Sequence, residues 1–100
     1  MTSDVAQTFV LAQNYPNPFN PATTISVTLE DDALVTLKVY DVLGREVATL
    51  LQNEPMATGE ETIEFNATEL TSGVYFYRLE AQSVTTGVTT TLTKKMMLVK

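Results

Sequence analysis

The sequence predicts an all-β fold, a two-sheet sandwich of about seven antiparallel strands. Three observations lead there. Apolar and polar residues alternate with a period of two in several runs, as half-buried strands do. Seventeen threonines and eleven valines load the chain with β-branched side chains, which suit a pleated surface. Turn residues recur at the spacing of strand connections, and no window of helical length holds a 3.6-residue period.

The elements follow in order. Residues 1–8 are small and polar and read as a tether or cloning remnant, which leaves 9–100 as the domain. Pro16, Pro18 and Pro21 crowd the first connection. They fix φ and remove three backbone donors, so this segment is not a central strand. Asn14, Asn17 and Asn20 suit local Asx-turns, and Tyr15 and Phe19 are placed to plug the end of the sandwich. Ile25, Val27 and Leu29 then alternate with Ser26 and Thr28. Glu30-Asp31-Asp32 separates them from Val35, Leu37 and Val39, which alternate with Thr36 and Lys38.

Asp41-Val42-Leu43-Gly44 turns the chain, with Gly44 free to take a positive φ. Asn53-Glu54-Pro55 through Thr58-Gly59 reads as the next loop. Ile63 and Phe65 alternate with Thr62 and Glu64, and Ala67–Ser72 makes at most one helical turn. Ser72-Gly73 precedes the densest aromatic strand, Val74-Tyr75-Phe76-Tyr77-Arg78-Leu79. Thr85-Thr86-Gly87 turns a long hairpin back into Val88–Val99. Short strands with turns at this spacing indicate a β-sandwich of immunoglobulin type. Without cysteine or tryptophan it is held by apolar alternation alone. Ile25, Leu37, Phe65 and one of Tyr75 or Phe76 are the expected core.

Composition narrows the function. One hundred residues make a single domain, and 44% apolar with 18% charged residues is a globular composition. The chain has no histidine and no cysteine. That excludes Ser-His-Asp and Cys-His catalysis, thiolate nucleophiles and the usual zinc sites. A net charge of −6 makes nucleic acid a poor partner. No stretch approaches the ~18 apolar residues of a membrane span. Met1-Thr2-Ser3-Asp4 lacks the basic and apolar regions of a signal peptide. If the domain is exported, the export signal belongs to a longer parent chain, Met1 is a cloning start and the chain an excised piece.

The remaining acid–base stock is carboxylate, tyrosine and lysine. Glu30, Asp31, Asp32, Glu54, Glu60, Glu61 and Glu69 fall on turns or outward positions, and a filled sandwich of this size has little room for a substrate pocket. The domain is therefore read as a non-enzyme without cofactor or metal. Glu30-Asp31-Asp32 with Asp41 has the chemistry for calcium but no EF-hand spacing, so solvated turns are preferred. Asn66-Ala67-Thr68 matches a glycosylation acceptor, though Asn66 fits better as a strand end capping the next turn. A strip of Tyr75 and Tyr77, with Tyr15 and Tyr40 elsewhere, is the basis of an alternative carbohydrate-binding reading. A structural spacer is the other alternative.

Charge is unevenly placed. Lys94-Lys95-Met96-Met97-Leu98-Val99-Lys100 closes the chain with three cations and no acid. Two readings fit this tail: an edge strand guarded by lysines against aggregation, or a terminal tag that a partner reads. If it is an edge, a partner strand can add to it, or two copies can form a weak homodimer through it.

Four blocks resemble the C-terminal sorting domain of the type IX (Por) secretion system of Gram-negative bacteria. They are Gln13-Asn14-Tyr15-Pro16-Asn17-Pro18-Phe19-Asn20-Pro21 with Thr23-Thr24-Ile25, Val39 through Leu50, Leu70 through Leu79, and Lys95 through Lys100. They come in family order and span nearly the whole chain. The resemblance implies an immunoglobulin-like sandwich, a fold shared with a domain of the flagellar hook-capping protein. It implies a C-terminal signal on a larger protein, recognised by the outer-membrane translocon. A sortase-like protease commonly removes it, cutting within or upstream of Met1–Thr8. The cargo passes through the periplasm and the outer membrane to the cell surface or medium. By family pattern the signal maps to Gly73, Val74, Tyr75, Lys95, Met96, Leu98 and Lys100. The sequence departs from the family at Leu29-Glu30, where many relatives have Leu-Pro, and in its long Thr-rich connection from Leu79 to Lys94.

Overall fold

The computed structural model describes residues 9–100 and is all-β. Its strands are β1 (Phe9–Leu11), β2 (Ala22–Leu29), β3 (Ala33–Tyr40), β4 (Glu46–Met56), β5 (Gly59–Asn66), β6 (Gly73–Ser83) and β7 (Thr89–Leu98). They form a three-stranded sheet in the order β1-β2-β5 and a four-stranded sheet in the order β4-β3-β6-β7. Every neighbouring pair is antiparallel. The expected residues 1–8 tether lies outside the described residues.

The period of two becomes the sidedness of each sheet. Ile25, Val27 and Leu29 on β2 face Val35, Leu37 and Val39 on β3 and Tyr75, Tyr77 and Leu79 on β6. Each apolar side chain taken fully from water contributes about 1.5–3 kcal/mol, so alternation in four or five strands fixes which faces meet. Of the two aromatics left open by the sequence, Tyr75 is the core residue, because it is in phase with Tyr77 and Leu79.

Two expectations need correction. Asn53-Glu54-Pro55 is not a loop but the last part of β4. Its pairing with β3 shifts register three times, so alternation is scrambled and the strand reads as irregular sequence. A proline is tolerated there because β4 is an edge strand with one unpaired side. Secondly, only Phe19 plugs the sandwich end, its ring 6.2 Å from that of Phe65 at a 53° tilt. The Tyr15 side chain is 81% exposed.

The turns are built as the sequence suggests. Gly44 takes φ +82° and Gly87 φ +76°, values open to glycine at little cost. The Gly44 amide donates to Asp41 O at 3.0 Å, closing the β3–β4 hairpin. Asn66 ends β5 and accepts from the Thr68 amide at 3.0 Å and from the Thr68 hydroxyl.

The proline-rich segment, residues 12–21, is a strap across the end of the molecule. Its X-Pro bonds at Pro16, Pro18 and Pro21 are all cis. Its fixed point is Tyr77. That phenol is buried, which pushes its pKa up. It donates to Ala12 O at 2.7 Å and accepts from the Asn14 amide at 2.8 Å. The Asn14 side-chain amide donates to Thr23 Oγ1 at 3.0 Å and Pro16 O at 3.1 Å. Buried polar groups are costly unless paired, so this network fixes where the strap lies. Tyr77→Phe keeps the ring but leaves the Ala12 carbonyl and the Asn14 amide without that partner. Urea unfolding should show a loss of about 1–3 kcal/mol; an unchanged midpoint would contradict the anchoring role.

Candidate functional site: the terminal-strand corner

Four segments meet at one end of the sandwich. They are the strap, the β3–β4 hairpin at Asp41–Arg45, the turn at residues 67–72, and the end of β7. Strand register brings the separated blocks together. Gly73 pairs with Leu98, Val74 with Met97, Tyr75 with Met96, and Phe76 with Lys95. Lys100 closes the corner, its amide donating to Ser72 Oγ at 2.9 Å and its ammonium to Thr68 O at 2.6 Å. The Tyr75 hydroxyl donates to Thr71 O at 2.7 Å and so ties the same turn to the core.

All seven residues named from the sequence, Gly73, Val74, Tyr75, Lys95, Met96, Leu98 and Lys100, therefore lie in one corner. They do not share one environment. Tyr75, Met96 and Leu98 are 6%, 1% and 1% exposed and belong to the core. Lys95 and Lys100 are exposed, and Val74 is half-buried on the outer face. The second group is accessible from outside, while the first lies beneath it in the core. The seven residues leave out Met97, 43% exposed between two buried neighbours. Its phase, opposite to Met96 and Leu98, was the available signal.

β7 is an edge strand, one of the two readings the lysine-rich tail left open. Its outer edge at Lys95–Val99 is nevertheless occupied. Gln13 Nε2 donates to Lys95 O at 2.7 Å, and the Met97 amide donates to Asn17 Oδ1 at 2.9 Å. The Phe19 amide donates to Met97 O at 2.9 Å, and the Val99 amide donates to Phe19 O at 3.0 Å. Phe19 and Leu98 thus form a parallel bridge. Asn17 caps the terminal strand rather than a local turn. Strand addition at Lys95–Val99 would have to displace these bonds, since the backbone groups there are already paired. Among the described residues, no strand pairs with that edge from Thr89 to Thr93. It borders an opening of about 340 Å³ lined by Phe9, Val10, Leu11, Leu92, Thr93 and Lys94.

Two other groupings weighed from the sequence do not assemble. Tyr75 and Tyr77 face the core, so they offer no sugar-stacking strip. Asp31 and Asp32 lie before β3 and Asp41 after it, at opposite ends of the strand. Asp31 accepts from the Ser83 hydroxyl at 3.1 Å, and Asp32 from the Thr58 amide at 2.8 Å. Among the described residues no three acids come together to hold an ion.

Electrostatics at the corner pin its hairpin. Asp41 accepts from the Leu43 and Arg45 amides, each at 2.9 Å, and from Arg45 Nε at 2.7 Å. These bonds, that to the Arg45 amide foremost, hold its carboxyl below the usual carboxylate range. Glu46 is lowered too, first by the Thr49 hydroxyl and then by Lys38, 3.3 Å away. Beside the hairpin lies a cleft of about 230 Å³ reaching from Val42 and Leu43 to Thr71–Tyr75. A lowered folded pKa stabilises above the unfolded carboxylate pKa of ~4, and that contribution is lost as pH falls through the lower folded value. The stability gap between wild type and Asp41→Asn should therefore shrink as pH drops below ~4. A gap constant from neutral to strongly acid pH would contradict the assignment.

The comparisons with known proteins fit this arrangement. The sequence matches the family described as "Secretion system C-terminal sorting domain" over residues 13–98. Comparison with curated protein sequences gives no significant match. Among solved structures, dimeric latent PorU from Porphyromonas gingivalis is similar, with TM-score 0.70 and 24% identity over 98% of this chain. The chain spans only 10% of that PorU chain. CopC from Methylosinus trichosporium OB3b is similar in fold, with TM-score 0.61 and 13% identity, covering 90% of this chain and 92% of that one. At these identities the two structures speak for the sandwich alone. The family match takes in the strap, the hairpin, the 70–79 block and β7 as far as Leu98, so the chain belongs to the type IX C-terminal sorting domains, non-catalytic signals that mark proteins for export across the outer membrane to the cell surface or medium.

Proposed function

We propose that the signal is the folded corner as a unit, not a linear tail. Residues 9–100 act as the sorting domain of a larger protein, joined to it through a tether at residues 1–8. The outer-membrane translocon reads Val74, Lys95 and Lys100. Gly73, Tyr75, Met96 and Leu98 set their positions from beneath. A sortase-like protease severs the tether once the cargo has crossed. The observation that supports this reading is the register of Gly73–Tyr75 against Met96–Leu98. It joins two blocks twenty residues apart into one surface, which an unfolded tail would not present.

The test is export of a reporter. The full 100-residue chain is fused behind a reporter bearing an ordinary signal peptide, in a type IX-competent host. The reporter should reach the surface or medium; retention in the periplasm would sink the proposal. Two variants separate reading from scaffolding. Lys95→Ala with Lys100→Ala should leave stability within about 0.5 kcal/mol of wild type, apart from the exposed Thr68 contact, yet lower export. Leu98→Ala opens a core cavity and should cost about 2–5 kcal/mol, with export falling in proportion to the unfolded fraction. A spacer would show the stability change without any change of destination.

A further inference from the structure

The outer face of the four-stranded sheet changes character along its length. Toward the β2–β3 end its rows are Thr36, Glu80 and Thr91, then Leu34, Gln82 and Thr89. Toward the corner the rows are Lys38, Arg78 and Thr93, then Tyr40, Phe76 and Lys95, with Val74 beside Met97. Solvated sheet faces need only threonine and charge. Half-buried Tyr40, Phe76 and Arg78 gathered beside exposed Met97 give this patch the composition of an interface centre.

The patch is also ordered before anything binds. The Arg78 guanidinium lies 4.7 Å from the centre of the Tyr40 ring, and its Nη2 donates to the Tyr40 hydroxyl at 2.6 Å. Stacking and a hydrogen bond together hold the two side chains against each other. Ordering in advance reduces the entropy lost on docking.

Charge selects the partner. The chain carries −6 overall, yet Lys38, Arg78 and Lys95 share this face. Glu46 sits 3.3 Å from Lys38, and Glu80 sits 3.9 Å from Arg78. Lys95 makes no ion pair among the described residues. A uniformly anionic surface, such as a lipid headgroup layer, would be repelled by the interleaved glutamates and by the net charge. A protein surface with an apolar centre and a few acids at its rim matches both the aromatics and the free lysine.

We infer that this face, centred on Tyr40, Phe76 and Met97 and rimmed by Lys38, Arg78 and Lys95, docks an acidic protein surface of the export machinery. The inference rests on the sorting reading above and names the chemistry of its partner. It also assigns contact roles to Tyr40, Phe76, Arg78 and Met97, which the terminal signal blocks leave undistinguished.

The test uses the reporter fusion of the full chain with Lys95→Glu and Met97→Glu together. Thr91→Glu is the control, on the same strand and face but at the other end. Both variants should keep the wild-type thermal midpoint, because all three positions are exposed. The double variant should deliver about tenfold less reporter to the surface, and the control about as much as wild type. Equal delivery by wild type and double variant overturns this inference, and with it the reading of Lys95 by the translocon, while the sorting role of the domain stands on the export of the wild-type fusion. Periplasmic retention of the wild-type fusion overturns both.

A second measurement identifies the contact. The chain has no cysteine, so Met97→Cys and Thr91→Cys each give a single thiol for a benzophenone label. Labelled chains are irradiated with outer membranes from the same host. A protein adduct at position 97 that is weakened by salt and is scarce at position 91 supports the docking face, provided the double variant also loses delivery. A lipid adduct, or equal yields at the two positions, overturns it.

Discussion

An edge strand must satisfy its outward N–H and C=O groups with water, with a partner, or with its own chain. At Lys95–Val99 the chain supplies its own. Phe19 exchanges two backbone hydrogen bonds with Met97 and Val99, and Asn17 and Gln13 cap the groups beside them. A proline-rich strap suits this task. Its rings remove donors that would otherwise need partners, while the Phe19 amide is kept for β7. The strap is held in turn by Tyr77, whose hydroxyl joins the centre of β6 to Ala12 and Asn14.

That closure decides how the corner is read. With its backbone edge paired at Lys95–Val99, the terminal strand presents side chains rather than backbone groups there. Alternation then divides those side chains into two sets. Met96 and Leu98 enter the core beside Tyr75, while Lys95, Met97 and Val99 face out. The hairpin pinned by Asp41 and the turn tied by Tyr75 flank the same surface. The open stretch of β7 edge lies farther away, at Thr89–Thr93, beside the opening lined by β1 and Leu92.

Much of this was legible in the sequence. The period of two placed β2, β3, β5 and β6 and the inner faces of the sandwich, because burial on one face permits no slip of register. Glycine and Asx turns marked the hairpins. β4 was obscured by bulges, which break the alternation on which a strand is recognised. At the corner, local pattern identified the blocks but not their meeting. Asn17 and Met97 lie 80 residues apart, and nothing in the composition of either announces the other. For the same reason Asn17 read as a local turn former. The lysines of the terminal strand suited an edge without fixing strand order, and nothing local named the occupant of that edge.

Amide hydrogen exchange at Met97 and Val99 tests the central claim most directly. If the strap seals the terminal strand, both amides exchange only when the domain opens as a whole, with protection near the global unfolding free energy. Exchange at the rate of an unstructured peptide, while the amides of β3 and β6 stay protected, would mean that the edge is free and the corner is not one folded unit.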